Sequence, residues 1–113
     1  MRNSSKAAAK WKGAAPVFAA LGHEMRLALV AHLSCGGTVS IARLTLGSAL
    51  TRQAITKHLH VLAAAGLVRN VRRGRERIWG LNTKQLDEAR QYLEVISLRW
   101  HTALACLKNL AEE

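Results

Sequence analysis

Gln53, Thr56, Lys57 and His60 recur at positions i, i+3, i+4 and i+7 within TRQAITKHLHVLAAAGLV, residues 51 to 68. At 100° per residue these four polar side chains share one side of a helix. Ile55, Leu59 and Leu62 fall within about 60° of one another on the opposite side. The apolar side calls for a core. An amide, a hydroxyl, an ammonium and an imidazole set side by side call for hydrogen-bonding partners outside it. They are not a catalytic set. The chain has no paired-carboxylate arrangement, no nucleophile elbow and no Gly-rich phosphate loop. We therefore expect a binding protein, not an enzyme, with no cofactor.

The elements that must hold this strip can be read along the chain. Residues 1–15 are small, basic and polar and are expected to form a mobile arm, ordered at most from Trp11. Residues 16–111 read as one domain. Pro16 suits the first turn of a short helix ending at Leu21. The segment EMRLALVAHL places Met25, Leu29, Val30 and Leu33 on one helical face, and the Ser34-Cys35-Gly36-Gly37 run stops it. Ser40 is an N-cap for a short helix bearing Ile41 and Leu44, ended by Gly47-Ser48. Thr51 caps the helix that carries the strip, and Gly66 ends it. Residues 67–72 and 76–81 then favour a two-stranded hairpin turning at Gly74, and Asn82-Thr83 caps a final helix, 84–111.

That final helix keeps a heptad through four repeats. Leu86, Leu93, Trp100 and Leu107 occupy one seam position; Ala89, Ile96, Ala103 and Leu110 occupy the other. So regular a seam on a terminal helix wants a partner helix, and in a short chain the partner can be a second copy. A homodimer is expected, with the chain's own first helix as the other surface available to the seam.

Charge points to the partner of the remainder. Seventeen Lys and Arg against seven acids leave a formal charge of +10. Residues 1–84 carry a net +12, whereas residues 85–113 carry a net −2. A basic body with a slightly acidic final helix suits a polyanion bound by the first part alone. No apolar run approaches the roughly 20 residues of a membrane span, and the N-terminus lacks the apolar segment of a secretory signal. The expected location is cytoplasmic, with no membrane contact.

Two helices joined by a tight turn, the second polar on its outer face, form a helix-turn-helix, and an adjoining hairpin makes it winged. The expected fold is thus mainly α with a small β-hairpin wing, dimerising through a long C-terminal helix. In that setting the strip has a purpose. A helix fits the major groove of double-stranded DNA, where base edges display donors and acceptors. Gln53 can pair bidentately with adenine and Lys57 can reach guanine O6 and N7. The Thr56 methyl can meet a thymine methyl while its hydroxyl donates. Arg52 at the helix start suits a phosphate. Arg72, Arg73, Arg75 and Arg77 at the hairpin tip suit phosphates or an adjacent minor groove. A rival that charge alone supports is a non-specific nucleic-acid-binding protein.

TRQAITKHLHVLAAAGLV followed by VRRGRERIWGL resembles the ArsR-type winged-helix repressors, over about residues 16–111. The resemblance implies a homodimeric transcriptional repressor, with Thr51, Gln53, Thr56, Lys57 and His60 facing DNA. It also implies a C-terminal helix in the dimer interface, where the seam supplies Leu86, Leu93, Ile96, Trp100, Ala103, Leu107 and Leu110. The chain departs from the pattern at Ala49, where the family usually carries glycine two residues before the recognition-helix cap. The ending ISLRWHTALACLKNLAEE is similar to a branch of the family without recognised metal-site motifs. The family's thiol cluster is missing from IARLTLG, and Asp87 and His101 lack the family's partner ligands. No metal site is expected, and the inducer is not legible. His23, His32 and His58 read as packed, hydrogen-bonded residues.

Cys35, placed in the loop after the second helix, and Cys106, beside the final seam, form no CxxC motif and no Cys/His cluster. They read as small buried hydrophobes. A thiol-responsive repressor using one of them is the alternative, because some members of the family sense oxidants from these two regions.

Overall fold

The computed structural model describes residues 13–46 and 49–112. Most of the expected basic arm, and the Gly47-Ser48 terminator, lie outside the described residues. Among these residues five helices and three short strands follow in order. They are α1 (Gly13–Leu21), α2 (Glu24–Gly36), β1 (Val39–Ser40) and α3 (Ile41–Thr45), then α4 (Arg52–Ala64), β2 (Val68–Arg73), β3 (Glu76–Leu81) and α5 (Thr83–Glu112). None of these helices is by itself long and apolar enough to cross a membrane.

Local chemistry explains the boundaries. The Ser40 hydroxyl accepts from Arg43 N–H and starts α3, and the Thr51 hydroxyl accepts from Ala54 N–H and starts α4. At the other end of α4, Leu67 N–H donates to Leu62 C=O and Gly66 N–H donates to Ala63 C=O, both at 2.9 Å. Gly66 has φ +78°, so this is a Schellman stop with buried Leu62 and Leu67 as its apolar contact. In the hairpin Arg73 pairs with Glu76, leaving Gly74-Arg75 as a two-residue loop. Gly74 has φ +64° and no non-glycine residue described has positive φ, the pattern of a type II′ turn.

The sheet is antiparallel in the order β1-β3-β2. Its inner face brings Val68 and Trp79 onto the helices. Trp79 joins Leu33, Ile55, Leu59, Leu62, Leu67 and Val17 as the most deeply buried side chains. Each aliphatic member contributes about 1.5–3 kcal/mol by leaving water. All three apolar residues expected on the inner side of α4 are thus in the core. Arg26 Nε donates to Ala20 C=O at 2.6 Å and pins the end of α1 to α2.

Four expectations need correction. Helix α1 begins at Gly13 and not at Pro16, and Ala14 is buried. Helix α2 runs on through Ser34 and Cys35 to Gly36, and Gly37, at φ +72°, is its C-cap. Cys35 therefore lies in a helix, and both Cys35 and Cys106 are exposed, not buried. A third strand, β1, lines the hairpin where none was expected: Val39 pairs with Trp79 and Ser40 with Ile78.

Helix α5 divides into two parts. Leu86 is half-buried and Ala89 buried against the domain, and Tyr92 meets Phe18 of α1 with ring centroids 6.1 Å apart. From Leu93 to Glu112 every residue is exposed. Leu93, Trp100 and Leu107 show 52, 63 and 61% of their surface. The uncovered apolar area is also wider than the two seam positions, because Val95, Leu98 and Leu104 are exposed beside them.

Candidate nucleic-acid interface

The outward side of α4 is open. Arg52, Gln53, Lys57 and His60 are exposed and Thr56 is half-buried. From Gln53 to His60 the strip rises about 10 Å along the helix axis. That is roughly the height of three stacked base pairs. The core-facing leucines fix its orientation, since rotating α4 to hide the strip would bring Leu59 and Leu62 into water.

Two of the predicted contacts are modified by local bonding. Thr56 Oγ1 donates to Arg52 C=O at 2.8 Å, so its proton serves the helix and its methyl and the acceptor side of its oxygen are left for a base. The Thr51 hydroxyl oxygen accepts the cap bond from Ala54 N–H, and its proton is left to donate outward. Gln53 and Lys57 make no side-chain bonds among the described residues and keep their full hydrogen-bonding capacity outward. His60 sets its ring edge-on to Trp79, with centroids 5.8 Å apart and planes at 84°. Trp79 Nε1 is buried without a hydrogen-bond partner among the described residues. His60 thus lids the core tryptophan from the outer side of α4 while remaining exposed itself.

The wing arginines do not act as one cluster. Arg75, Glu76 and Arg77 line a crevice of about 130 Å³ that Ser40 of β1, Ile41 and Ala42 of α3 and Arg52 of α4 close. Three guanidinium-bearing residues from the recognition helix and the wing therefore meet over one hollow, a geometry suited to a backbone phosphate. Arg77 Nη1 is steadied by Asn70 Oδ1 at 2.7 Å, and Arg72 Nε donates to Gly74 C=O at the turn. Arg73 lies on the other face of the hairpin. Sequence reasoning missed Asn70 and gave Ser40 a capping role only. The pairing of Asn70 with Trp79, two positions from Arg72 with Arg77, was the only available sign that Asn70 and Arg77 share a face.

Behind the strip, His58 packs against His23, with ring centroids 4.6 Å apart. His23 Nδ1 accepts from Met25 N–H and caps α2, which requires that nitrogen to be unprotonated. Burial first, then His23 and Arg26, hold the His58 imidazole below its ordinary value of 6.5. Because folding depresses this pKa, the unfolded chain takes up the proton first as pH falls. The stability that neutral His58 allows is complete above pH 6.5 and is lost as pH drops through the folded value. Thermal melts from pH 7.5 to about 5.5 should show a falling Tm in the wild type. H58Q, which stays neutral, should flatten that fall; equal slopes would remove His58 as its source. His32 is exposed, so the expectation of a packed residue fails there. Among the described residues no group of three or more His, Cys, Asp or Glu side chains could hold a metal ion.

The chain matches no protein-family model. It is 37% identical over 76 residues to YuzN of Bacillus subtilis (strain 168), an uncharacterized HTH-type transcriptional regulator, covering 62% of this chain and 83% of YuzN. Among solved structures it is similar to an ArsR-like transcriptional regulator from Rhodococcus sp. RHA1. The identity there is 36% and the TM-score 0.75, over 89% of this chain and 94% of the other. A possible transcriptional regulator for arsenical resistance is 30% identical with a TM-score of 0.62, over 68% of this chain and 79% of the other. Joined to a helix-turn-helix, a wing and an outward polar strip on α4, these likenesses show that the chain belongs to the ArsR-type family of winged helix-turn-helix, DNA-binding transcriptional regulators.

Proposed function

We propose that the chain is a homodimeric repressor that reads an inverted-repeat operator in double-stranded DNA and acts by occupying it, in the cytoplasm. The observation that carries the reading is the exposure of Gln53 and Lys57 on a helix whose opposite side is core. Those two side chains discriminate among base edges, with His60 and the Thr56 methyl beside them. Arg52, Arg75 and Arg77 seat a phosphate in their shared crevice, while Thr51, Arg72 and Arg73 flank the contact. The uncovered stretch of α5 supplies the twofold interface through Leu93, Ile96, Trp100, Ala103, Leu107 and Leu110. Leu86 belongs partly to its own domain. Two recognition helices related by that axis enter successive major grooves about 34 Å apart.

A salt titration of duplex binding tests the wing's part. Each phosphate neutralised contributes about 0.9 to the slope of log affinity against log salt. The double variant R75Q/R77Q removes two of the three cations around that single phosphate and should therefore flatten the slope by up to roughly 0.9 per protomer. An unchanged slope takes the wing out of the contact set. Failure of the wild type to retain any duplex in low salt would refute the whole proposal.

A further inference from the structure

The hairpin has a second face, turned away from both the core and the crevice of Arg75 and Arg77. On it the register sets Arg69 beside Gly80, Val71 beside Ile78 and Arg73 beside Glu76. Together with Thr38 these residues line a groove of about 250 Å³. Gly80 makes the groove. A Cβ there would come within 3.3 Å of the Thr38 methyl carbon, so a side chain at this position would crowd that wall of the groove. The floor is apolar: Val71 is exposed and Ile78 half-buried. The ends are cationic. Arg69 and Arg73 are both exposed, and among the described residues neither enters an ion pair or hydrogen bond.

Arg73 has the carboxylate-bearing Glu76 directly across the hairpin, whereas Arg69 has only Gly80 opposite it, so an apolar floor headed by one unneutralised guanidinium suits an acid with a short hydrocarbon body. The geometry points to a binding site for an apolar monocarboxylic acid on the outer face of the wing. The carboxylate sits over Gly80 and is held by Arg69, in the bidentate manner that a guanidinium offers. The hydrocarbon lies along the Val71–Ile78 pair toward Arg73. Size agrees with this. The groove lies just below the roughly 300 Å³ at which pockets for drug-sized ligands begin. A medium-chain or single-ring acid fits; a larger one overhangs.

Arg73 is both the far wall of this groove and a wing residue assigned above to the DNA contact. A bound acid therefore changes the charge of the wing, a consequence that rests on the DNA-binding reading. The site itself does not rest on it.

Calorimetric titration of the full chain with octanoate, in the absence of DNA, decides the matter. Saturable binding is expected with the wild type. It should weaken at least tenfold in R69Q and vanish in V71E, whose own carboxylate is placed between the two arginines. Both changes are at exposed positions, and an unaltered melting temperature shows that the fold is intact. Three results would overturn the site: no saturable heat with octanoate, equal binding of 1-octanol, or equal binding of acetate. The first leaves no ligand, the second makes the groove merely greasy, and the third makes it merely cationic. Persistence of full octanoate affinity in V71E would overturn it as well. Duplex retention by the same wild-type sample is measured separately, so loss of the DNA reading and loss of this site are distinguishable.

Discussion

Replacing Gln53 and Lys57 together with alanine should weaken binding to the preferred duplex by about 2–6 kcal/mol per half-site, roughly 30-fold to 10⁴-fold. Each bidentate contact with a base edge is worth about 1–3 kcal/mol of discrimination, and both residues keep their bonding groups free for one. Binding to unrelated duplex should fall far less, because only the single charge of Lys57 is lost from the electrostatic contribution. The folded state should not suffer. Both positions are exposed, neither side chain bonds within the protein, and alanine favours the helix. Anisotropy titrations against preferred and scrambled duplexes, with a thermal melt as control, measure the difference. Equal losses on both duplexes would mean that the strip supplies charge and not base reading.

The second large effect concerns α5. W100D/L107D should convert a dimer to a monomer in sedimentation equilibrium, and operator affinity should drop at least 100-fold as the second half-site is lost. Trp100 and Leu107 contribute little to their own domain, since most of each side chain is in water in the isolated chain. The circular-dichroism signature of the domain should persist in the variant. Leu86 and Ala89 are unsuitable for this purpose, because they are already packed on the domain. A wild-type chain that sediments as a monomer at micromolar concentration would contradict the twofold arrangement.

Much of this was legible in the sequence, for identifiable reasons. The leucine period of α4, the caps Ser40 and Thr51 and the glycine stop at Gly66 are local signals, each set by one or two residues. All were found where expected. The hairpin followed from its β-favouring runs and Gly74. What escaped depends on contacts distant in sequence. Strand β1 is two residues long, too short for any alternation to show, and it exists only because β3 offers an open edge. The Thr56 hydroxyl was expected to face a base. The carbonyl four residues earlier in α4 engages its proton instead, a competition that a residue's type alone does not reveal. Gly36 and Gly37 suggest a stop before Cys35, yet α2, packed through Leu29, Val30 and Leu33, continues to the first of these glycines.

The pairing of Asn70 with Arg77 and the division of the wing arginines between two faces follow from hairpin register. A one-residue slip would exchange the faces. Sequence fixed which residues are basic but not which of them converge. The crevice shared by Arg52, Arg75 and Arg77, and the groove flanked by Arg69 and Arg73, became visible only with the strands paired.

Selection of bound fragments from a random pool of duplexes, sequenced after several rounds in moderate salt, confronts the assignment of α4 most directly. The proposed placing of Gln53, Lys57 and His60 on two symmetry-related helices predicts an enriched inverted repeat, its half-sites one helical turn apart. Its preferred bases should become indifferent when Gln53 and Lys57 are alanine. A pool that stays random while the protein retains it would contradict base reading by this surface.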